Sequence, residues 1–438
     1  MTARLRFPLA IVLVGLVSAG FAIVFRGSLG VVGRAMGGSD VVAMITNAPT
    51  WERILLPIVG GLGAGLIALA AARLREGSGV GFVMEAIVLG RARIPLTRSI
   101  LQSAASWLAI AGGNSLGREG PLIQIGAASG EAARRFLRLD DSTARVVLAA
   151  GVAAGFASAY NSPISAVLFV VEIVTGVIML EAVIPVISAV AISTVITHLA
   201  VGGGPLYGLR NFTSVSAGEL LAFAGLGLVI APVGVGFLRL LGITEHWWAK
   251  LPMPWRPAIG GAVCGGLLVA MPMVAGNGFE PLGALLDGRL AIGVVAWLLL
   301  IKPISTAASV SSGNPGGVFT PTLLIGACGG LLYAAGLHVV LGDVIGSPGA
   351  YALVGLAAAL SATTHAPLTS AVLACELSGD YALVVPLLVA GALSAGVASR
   401  LYIHSVYTVE LSRRGLRWRL TLDGRRIIAN QQNAVDAV

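Results

Sequence analysis

Two stretches of this chain repeat one another two hundred residues apart, and each joins a glycine-rich turn to an apolar run. The first reads Gly113-Asn-Ser-Leu-Gly-Arg-Glu-Gly-Pro121 and continues to Ile125-Gly-Ala127. The second reads Gly313-Asn-Pro-Gly-Gly-Val-Phe-Thr-Pro321 and continues to Ile325-Gly-Ala327. Proline is favoured in the first turn of a helix, where its missing N–H is no loss. The pattern therefore predicts two helices that begin at these prolines, each with first-turn N–H groups free to face an anion. The repeat extends further. Pro57–Gly61 matches Pro257–Gly261, Gly77–Gly79 answers Gly276–Gly278, and Gly151–Pro163 matches Gly355–Pro367. An acid follows each of the last two prolines at the same distance, Glu172 and Glu376. Blocks in the same order imply two related halves, 1–203 and 214–438, joined by a polar connector at 204–213 that ends the Gly202–Thr213 stretch.

Composition decides the medium in which these halves fold. Of the 438 residues 56% are hydrophobic and 11% charged, against roughly 25% charged in soluble domains. Apolar runs such as Phe7–Val24, Ile54–Ala72, Ala182–Ala200, Leu220–Leu241 and Leu323–Leu341 approach the ~20 residues a bilayer-spanning helix needs. The expectation is an all-α polytopic membrane protein of roughly ten to fourteen helical segments. Phe7–Val24 lacks a clear cleavage site and belongs to the apolar pattern, so it reads as retained rather than as a signal peptide. The 59 glycines suit close helix packing and helices broken within the membrane.

The net charge of +8 is concentrated at the ends, with Arg4 and Arg6 first and Arg413, Arg414, Arg417, Arg419, Arg425 and Arg426 last. This places both termini in the cytoplasm of a cell (inner) membrane protein, with an even number of crossings. Topology explains the basic tail better than a nucleic-acid partner does. That tail is also too short for an added cytoplasmic domain. Cys264, Cys328 and Cys375 lie in apolar segments without metal-ligand spacing, and the five histidines show none either. If each half crosses an odd number of times, the halves are inverted, and a site is expected near the midplane where broken helices converge. The glycine-rich breaks at 77–81, 113–121 and 313–321 are the candidates.

Glu119 is the most specific residue among them. An acid between apolar helices is expensive to bury and marks function by default. Ionised, its carboxylate can fill the anion site formed by the helix N-termini; protonated, it can swing away and admit a mobile anion. The plainer alternatives are a helix cap or a pair with Arg118, itself either structural or an electrostatic lure. No Ser–His, His–Glu or paired-Asp arrangement in the apolar segments suggests an enzyme.

At these residues the chain resembles the CLC family of chloride channels and proton–chloride exchangers. Three signatures stand in family order: Gly77-Ser-Gly-Val80, Gly117-Arg-Glu-Gly-Pro121 and Gly317-Val-Phe-Thr-Pro321. Tyr407, in Ser405-Val-Tyr-Thr-Val-Glu-Leu-Ser412, matches the family's pore tyrosine. The resemblance covers essentially the whole membrane region. It implies two inverted-topology repeats, a homodimer in the lipid bilayer with one pore per subunit, and no cofactor or metal. It also implies Glu119 as gate and proton carrier, with Ser78, Tyr407 and the N–H groups of Val318 and Phe319 as chloride ligands. Gly79, Gly120 and Pro321 complete the pore motifs. Such ligands make chemical sense, because hydroxyls and helix N-termini replace lost water without the grip of a full positive charge. Ser78 could otherwise be an ordinary cap, Phe319 core packing, and Tyr407 an interfacial tyrosine with Tyr402 nearby.

The chain departs from the family pattern in two places. Position 81 is glycine where the first signature usually ends in proline. Exchangers typically carry two consecutive acids after the Pro163-type helix, but here Glu172 is followed by Ile173, which cannot carry a proton. Proton–chloride exchange is the expectation, through water or another acid such as Glu181, with an uncoupled channel or leak as the alternative. Glu172 and Glu376 read as caps or hydrogen-bond anchors. Because Ser78 and Pro121 are kept, chloride and similar halides are expected in preference to nitrate or fluoride.

Overall fold

The computed structural model describes residues 3–74, 79–89, 93–212, 217–253, 255–342, 346–413, 416–421 and 424–429. Through residue 201 the chain forms α1 (Ala3–Ala35), α2 (Val41–Asn47), α3 (Thr50–Ala72), α4 (Val80–Leu89), α5 (Leu96–Ala111), α6 (Glu119–Leu137), α7 (Asp141–Tyr160), α8 (Pro163–Phe169) and α9 (Leu180–Val201). It continues with α10 (Ala217–Trp248), α11 (Trp255–Ala270), α12 (Phe279–Leu286), α13 (Ile292–Ser311) and α14 (Phe319–Leu341). The last helices are α15 (Pro348–Thr364), α16 (Pro367–Ser378), α17 (Val384–Leu401) and α18 (Thr408–Arg413). With α2 and α18 set aside, α1 and α3–α9 are answered in order by α10–α17.

The sequence repeat is thus a repeat of structure, and it extends to unusual backbone. Asn161 and His365, each two residues before a repeat-related proline, are both left-handed at φ 57° and 58°. Gly113 and Gly313 end α5 and α13 at φ 88° and 101°, a region open at little cost only to glycine.

The two series pack head to tail. On α3 and α11, Gly61 abuts the Pro257 carbonyl, Gly261 abuts the Pro57 carbonyl, and Gly265 lies against Arg53 and Ile54. Numbers rise along one helix as they fall along the other, so equivalent helices run antiparallel and the repeats are inverted.

Among the described residues eight helices are long and apolar enough to cross a membrane: α1, α3, α7, α9, α10, α13, α14 and α17. Shorter apolar helices lie between them. The segment count exceeds the sequence expectation because glycine and proline divide runs that look continuous. For example, α8 passes into a π-helical turn, Val170–Thr175, that stops at left-handed Gly176. The outward surface is apolar, with Leu199 83%, Leu180 81% and Ile184 75% exposed. Such a surface suits hydrocarbon rather than water, and the chain is a multi-pass membrane protein.

One element lies outside the all-helical expectation. Leu416–Thr421 and Gly424–Ala429 pair as an antiparallel hairpin, with Leu416 opposite Ala429 and Thr421 opposite Gly424. The alternation Leu416-Arg-Trp-Arg-Leu-Thr421 carries the period of a strand. The connector is irregular but anchored: Tyr207 and Arg210 N–H donate to the Leu377 and Ser378 carbonyls at 3.0 and 2.9 Å.

With little aqueous driving force between membrane helices, close backbone approach supplies much of the packing. Gly126 of α6 and Gly151 of α7 each face the other's carbonyl, and Gly326 and Gly355 repeat the contact between α14 and α15. A methyl at Gly126 would strike the Gly151 carbonyl, whereas Gly20 of α1 has open space around it. Gly126→Ala should lower thermal stability in detergent by about 1–3 kcal/mol. Gly20→Ala should stay within about 0.5 kcal/mol of the parent.

Candidate functional site

The paired glycine-rich turns meet where the two series join. Gly117 N–H donates to the Gly317 carbonyl at 2.6 Å, and Gly317 N–H to that of Gly117 at 2.9 Å. Neighbouring bonds brace the turns. Asn114 Nδ2 donates to the Pro57 and Ala109 carbonyls at 2.9 and 3.3 Å, and Asn314 Nδ2 to the Ser309 carbonyl at 3.0 Å. Ser115 N–H donates to Ser309 Oγ at 3.1 Å, crossing between the series.

This junction leaves a slot for one side chain. Glu119, the first residue of α6, is 1% exposed. Its carboxylate lies where side chains at Gly117 or Gly317 would otherwise be, so both positions exclude a Cβ. Phe319 N–H, at the start of α14, donates to Glu119 Oε1 at 2.7 Å. Tyr160 and Thr320 hydroxyls lie 3.3 and 3.2 Å from Oε2 and 2.9 Å from each other. Either hydroxyl can donate to the carboxylate while receiving from the other. An ionised acid is therefore met by donors from both series, each such bond worth about 1.5–3 kcal/mol. The helices begin two residues before Pro121 and Pro321, which fall in their first turns as expected.

Arg118 does not serve as its partner. Its Nη2 donates to the Ala159 carbonyl at 3.3 Å, and its guanidinium lies 5.2 Å from the centre of the Phe279 ring. An aromatic series continues from the carboxylate. Tyr160 packs on Phe319 at 5.3 Å, Phe319 on Phe156 at 5.4 Å, Phe156 on Phe169 at 4.5 Å, and Phe169 edge-on to Tyr407 at 5.9 Å.

A cavity of about 510 Å³ connects several of the expected residues, among them Gly79, Glu119, Gly120, Pro121, Gly317, Val318 and Tyr407. Tyr407 is buried on its wall. Gly77 and Ser78 lie outside the described residues, so the first signature is represented here by Gly79 and Val80. Gly79 N–H donates to Gln124 Oε1 at 3.2 Å, and Gln124 Nε2 donates to Ser99 Oγ at 3.0 Å.

Glu172 and Glu376 are placed as anchors. Leu368 and Thr369 N–H donate to Glu172 at 3.1 and 2.7 Å, with the Thr369 hydroxyl at 2.6 Å. Ile164 and Ser165 N–H donate to Glu376, both at 2.8 Å. Each acid thus caps the opposite series' helix. Ile173, between Glu172 and Val174 in the π-helical turn, is buried. Glu181 stands exposed in the first turn of α9.

Sequence reasoning did not assign Tyr160, Thr320, Gln124 or Glu410, all of which shape the site. Thr320 stood inside a recognised motif, between Phe319 and Pro321. Tyr160 and Gln124 carried no local signal, because their roles arise from contacts across long sequence separations. Lys302 was also missed. Wholly buried in α13, its Nζ donates to the Val274 and Gly276 carbonyls at 2.9 and 3.0 Å. Gly276 also accepts from Leu116 N–H at 3.2 Å, so Lys302 braces the loop behind the junction.

An inverted pair of helix series, with many membrane crossings and a carboxylate buried against a helix N-terminus at their junction, defines a broken-helix membrane transport protein. The chain belongs to the voltage gated chloride channel family, which matches residues 60–399. It is 37% identical to a chloride channel protein, ClcB-like, of Ralstonia nicotianae, over 92% of this chain and 95% of that relative. It is 32% identical to the voltage-gated ClC-type chloride channel ClcB of Escherichia coli K12, over 84% of this chain and 89% of the relative. Among solved structures it resembles a slow cyanobacterial Cl-/H+ antiporter, with a TM-score of 0.84 and 23% identity over 93% of this chain and 98% of the other. A CLC-type fluoride/proton antiporter gives a TM-score of 0.78 at 22% identity, over 92% and 96%. These structural likenesses establish the CLC fold.

The reciprocal caps give this subsection its test. Glu376→Ala would leave two amides of α8 without their acceptor, at a cost of about 1–3 kcal/mol. Thermal unfolding in detergent should show that loss, with Glu376→Gln falling between Ala and the parent.

Proposed function

We propose that this protein moves chloride across a cell (inner) membrane in exchange for protons, with Glu119 as gate and proton carrier. The observation that carries this reading is the Glu119 carboxylate seated on the Phe319 N–H at the junction of the inverted series. A helix N-terminus that holds a carboxylate offers donors and partial positive charge to any anion of similar size. When Glu119 takes up a proton its attraction to that position weakens, and the side chain can swing out. Chloride then replaces it and accepts from the N–H groups of Val318 and Phe319, with Tyr407 and Ser78 supplying hydroxyls. No fixed charge is needed, so the ion can leave as well as enter. Tyr160 and Thr320 add to this scheme by holding the ionised carboxylate in place.

The names of the relatives support chloride as substrate, and those of the structural neighbours include proton antiporters. Bromide and similar halides would follow the same route. Uncoupled flow has one observation in its favour, the buried Ile173 where exchangers of the family carry an acid. Exchange would then route protons through water or another carboxylate. We read the protein as a homodimeric transporter, not an enzyme, that needs no cofactor or metal. Both termini face the cytoplasm, and residues 1–203 and 214–438 form its two repeats about the 204–213 connector.

Glu119→Gln keeps the shape of the side chain and one acceptor oxygen but cannot cycle its charge. In liposomes containing the variant, proton movement should fall at least about a hundredfold, the low end for loss of a positioned proton-transfer group. Chloride should continue to move at an altered rate. Unchanged proton flux would remove Glu119 from the pathway.

A further inference from the structure

A second carboxylate lines the cavity that leads to Glu119. Glu410 lies on α18, three residues beyond Tyr407, and its side chain reaches the N-terminal end of α4. Gly81 N–H donates to Glu410 Oε2 at 3.2 Å. The glycine is needed twice over. Proline at position 81 would have no N–H to give, and a Cβ there would stand 2.7 Å from Oε2 and 3.0 Å from the carboxylate carbon. Gly79, at φ +97°, leaves room on the other side, since a Cβ on it would stand 3.0 and 3.1 Å from the two carboxylate oxygens.

This is the arrangement of Glu119 in a second place. There a carboxylate takes a helix-start N–H through a gap left by Gly117 and Gly317; here another does so through a gap left by Gly79 and Gly81. Both acids face the same cavity, whose other charged lining groups among the described residues are Glu245 and Arg256. The departure at position 81 and the acid at 410 are thus one feature, each making room or a donor for the other.

We propose that Glu410 is a second gate, a tethered anion that competes with chloride at the α4 end of the cavity and must move aside for the ion to pass. The proposal rests on the reading of this cavity as a chloride path. Its rival is a structural pin that joins α18 to α4, with the Gly81 N–H bond as part of the join.

Two variants separate gate from pin. Glu410→Gln keeps an acceptor for Gly81 N–H but loses the charge that competes with chloride. Gly81→Ala keeps the N–H but pushes the carboxylate away from it. Chloride binding to the purified full-length protein would be measured by calorimetry, and chloride efflux from liposomes alongside it. A gate predicts that both variants bind chloride more tightly, about tenfold if the native carboxylate fills its position nine-tenths of the time. Efflux should become faster in both. Binding and efflux within twofold of the parent in Glu410→Gln would overturn the proposal. So would reduced stability in Gly81→Ala without tighter binding. If the parent neither binds nor moves chloride, the transport reading itself fails, an outcome distinct from either of these.

Discussion

The bond from Phe319 N–H to the Glu119 carboxylate is the contact around which the structure is arranged. A bare carboxylate inside a low-dielectric protein costs several kcal/mol or more unless donors replace its water. Here the donors come from the start of α14 and from the hydroxyls of Tyr160 and Thr320. The pairing of Gly117 with Gly317 brings the two turns together, so that Phe319 and Thr320 of the second series meet an acid of the first, and leaves the slot open. The glycines, the broken helices and the buried acid are consequently one construction.

Inversion explains why so few interactions suffice. A two-fold relation makes contacts between the series recur in pairs: Gly61 on Pro257 with Gly261 on Pro57, and Glu172 on α16 with Glu376 on α8. The reciprocal carboxylate caps hold α8 and α16 against each other's starts. The site is where the symmetry stops. Position 119 is glutamate, and its counterpart at the second turn is Phe319, so one half contributes the acid and the other the N–H that receives it. A symmetric junction with two acids would place like charges in one slot, and one with none would have nothing to gate it.

Most of the architecture was legible in the sequence because the two-hundred-residue repeat and the apolar composition each constrain it independently. The starts of α6 and α14 and the anchoring acids followed from Pro121, Pro321, Glu172 and Glu376, and inversion was the expectation if each half crosses an odd number of times. What was not legible came from contacts between distant residues. Tyr160 belongs to a small-residue helix with no polar pattern, and its hydroxyl gains meaning only when α14 brings Thr320 beside it. Gly81 read only as a departure from the family's proline, whereas the structure shows its N–H committed to Glu410, more than three hundred positions away. The hairpin at 416–429 was missed because basic residues there read as a topology signal, although the same residues alternate with apolar ones as a strand requires. Ser78, prominent in the sequence, lies outside the described residues, so its role still rests on the motif alone.

Coupling is the central claim, and the measurement that tests it most directly uses the unmodified protein in liposomes. A chloride gradient is imposed with no pH difference, chloride efflux is followed, and external pH is recorded as the gradient runs down. The account predicts that chloride leaving the vesicles drives protons inward against a developing gradient, in a fixed ratio and with no proton ionophore present. Chloride efflux with no accompanying proton movement would contradict exchange and make this an uncoupled chloride pathway.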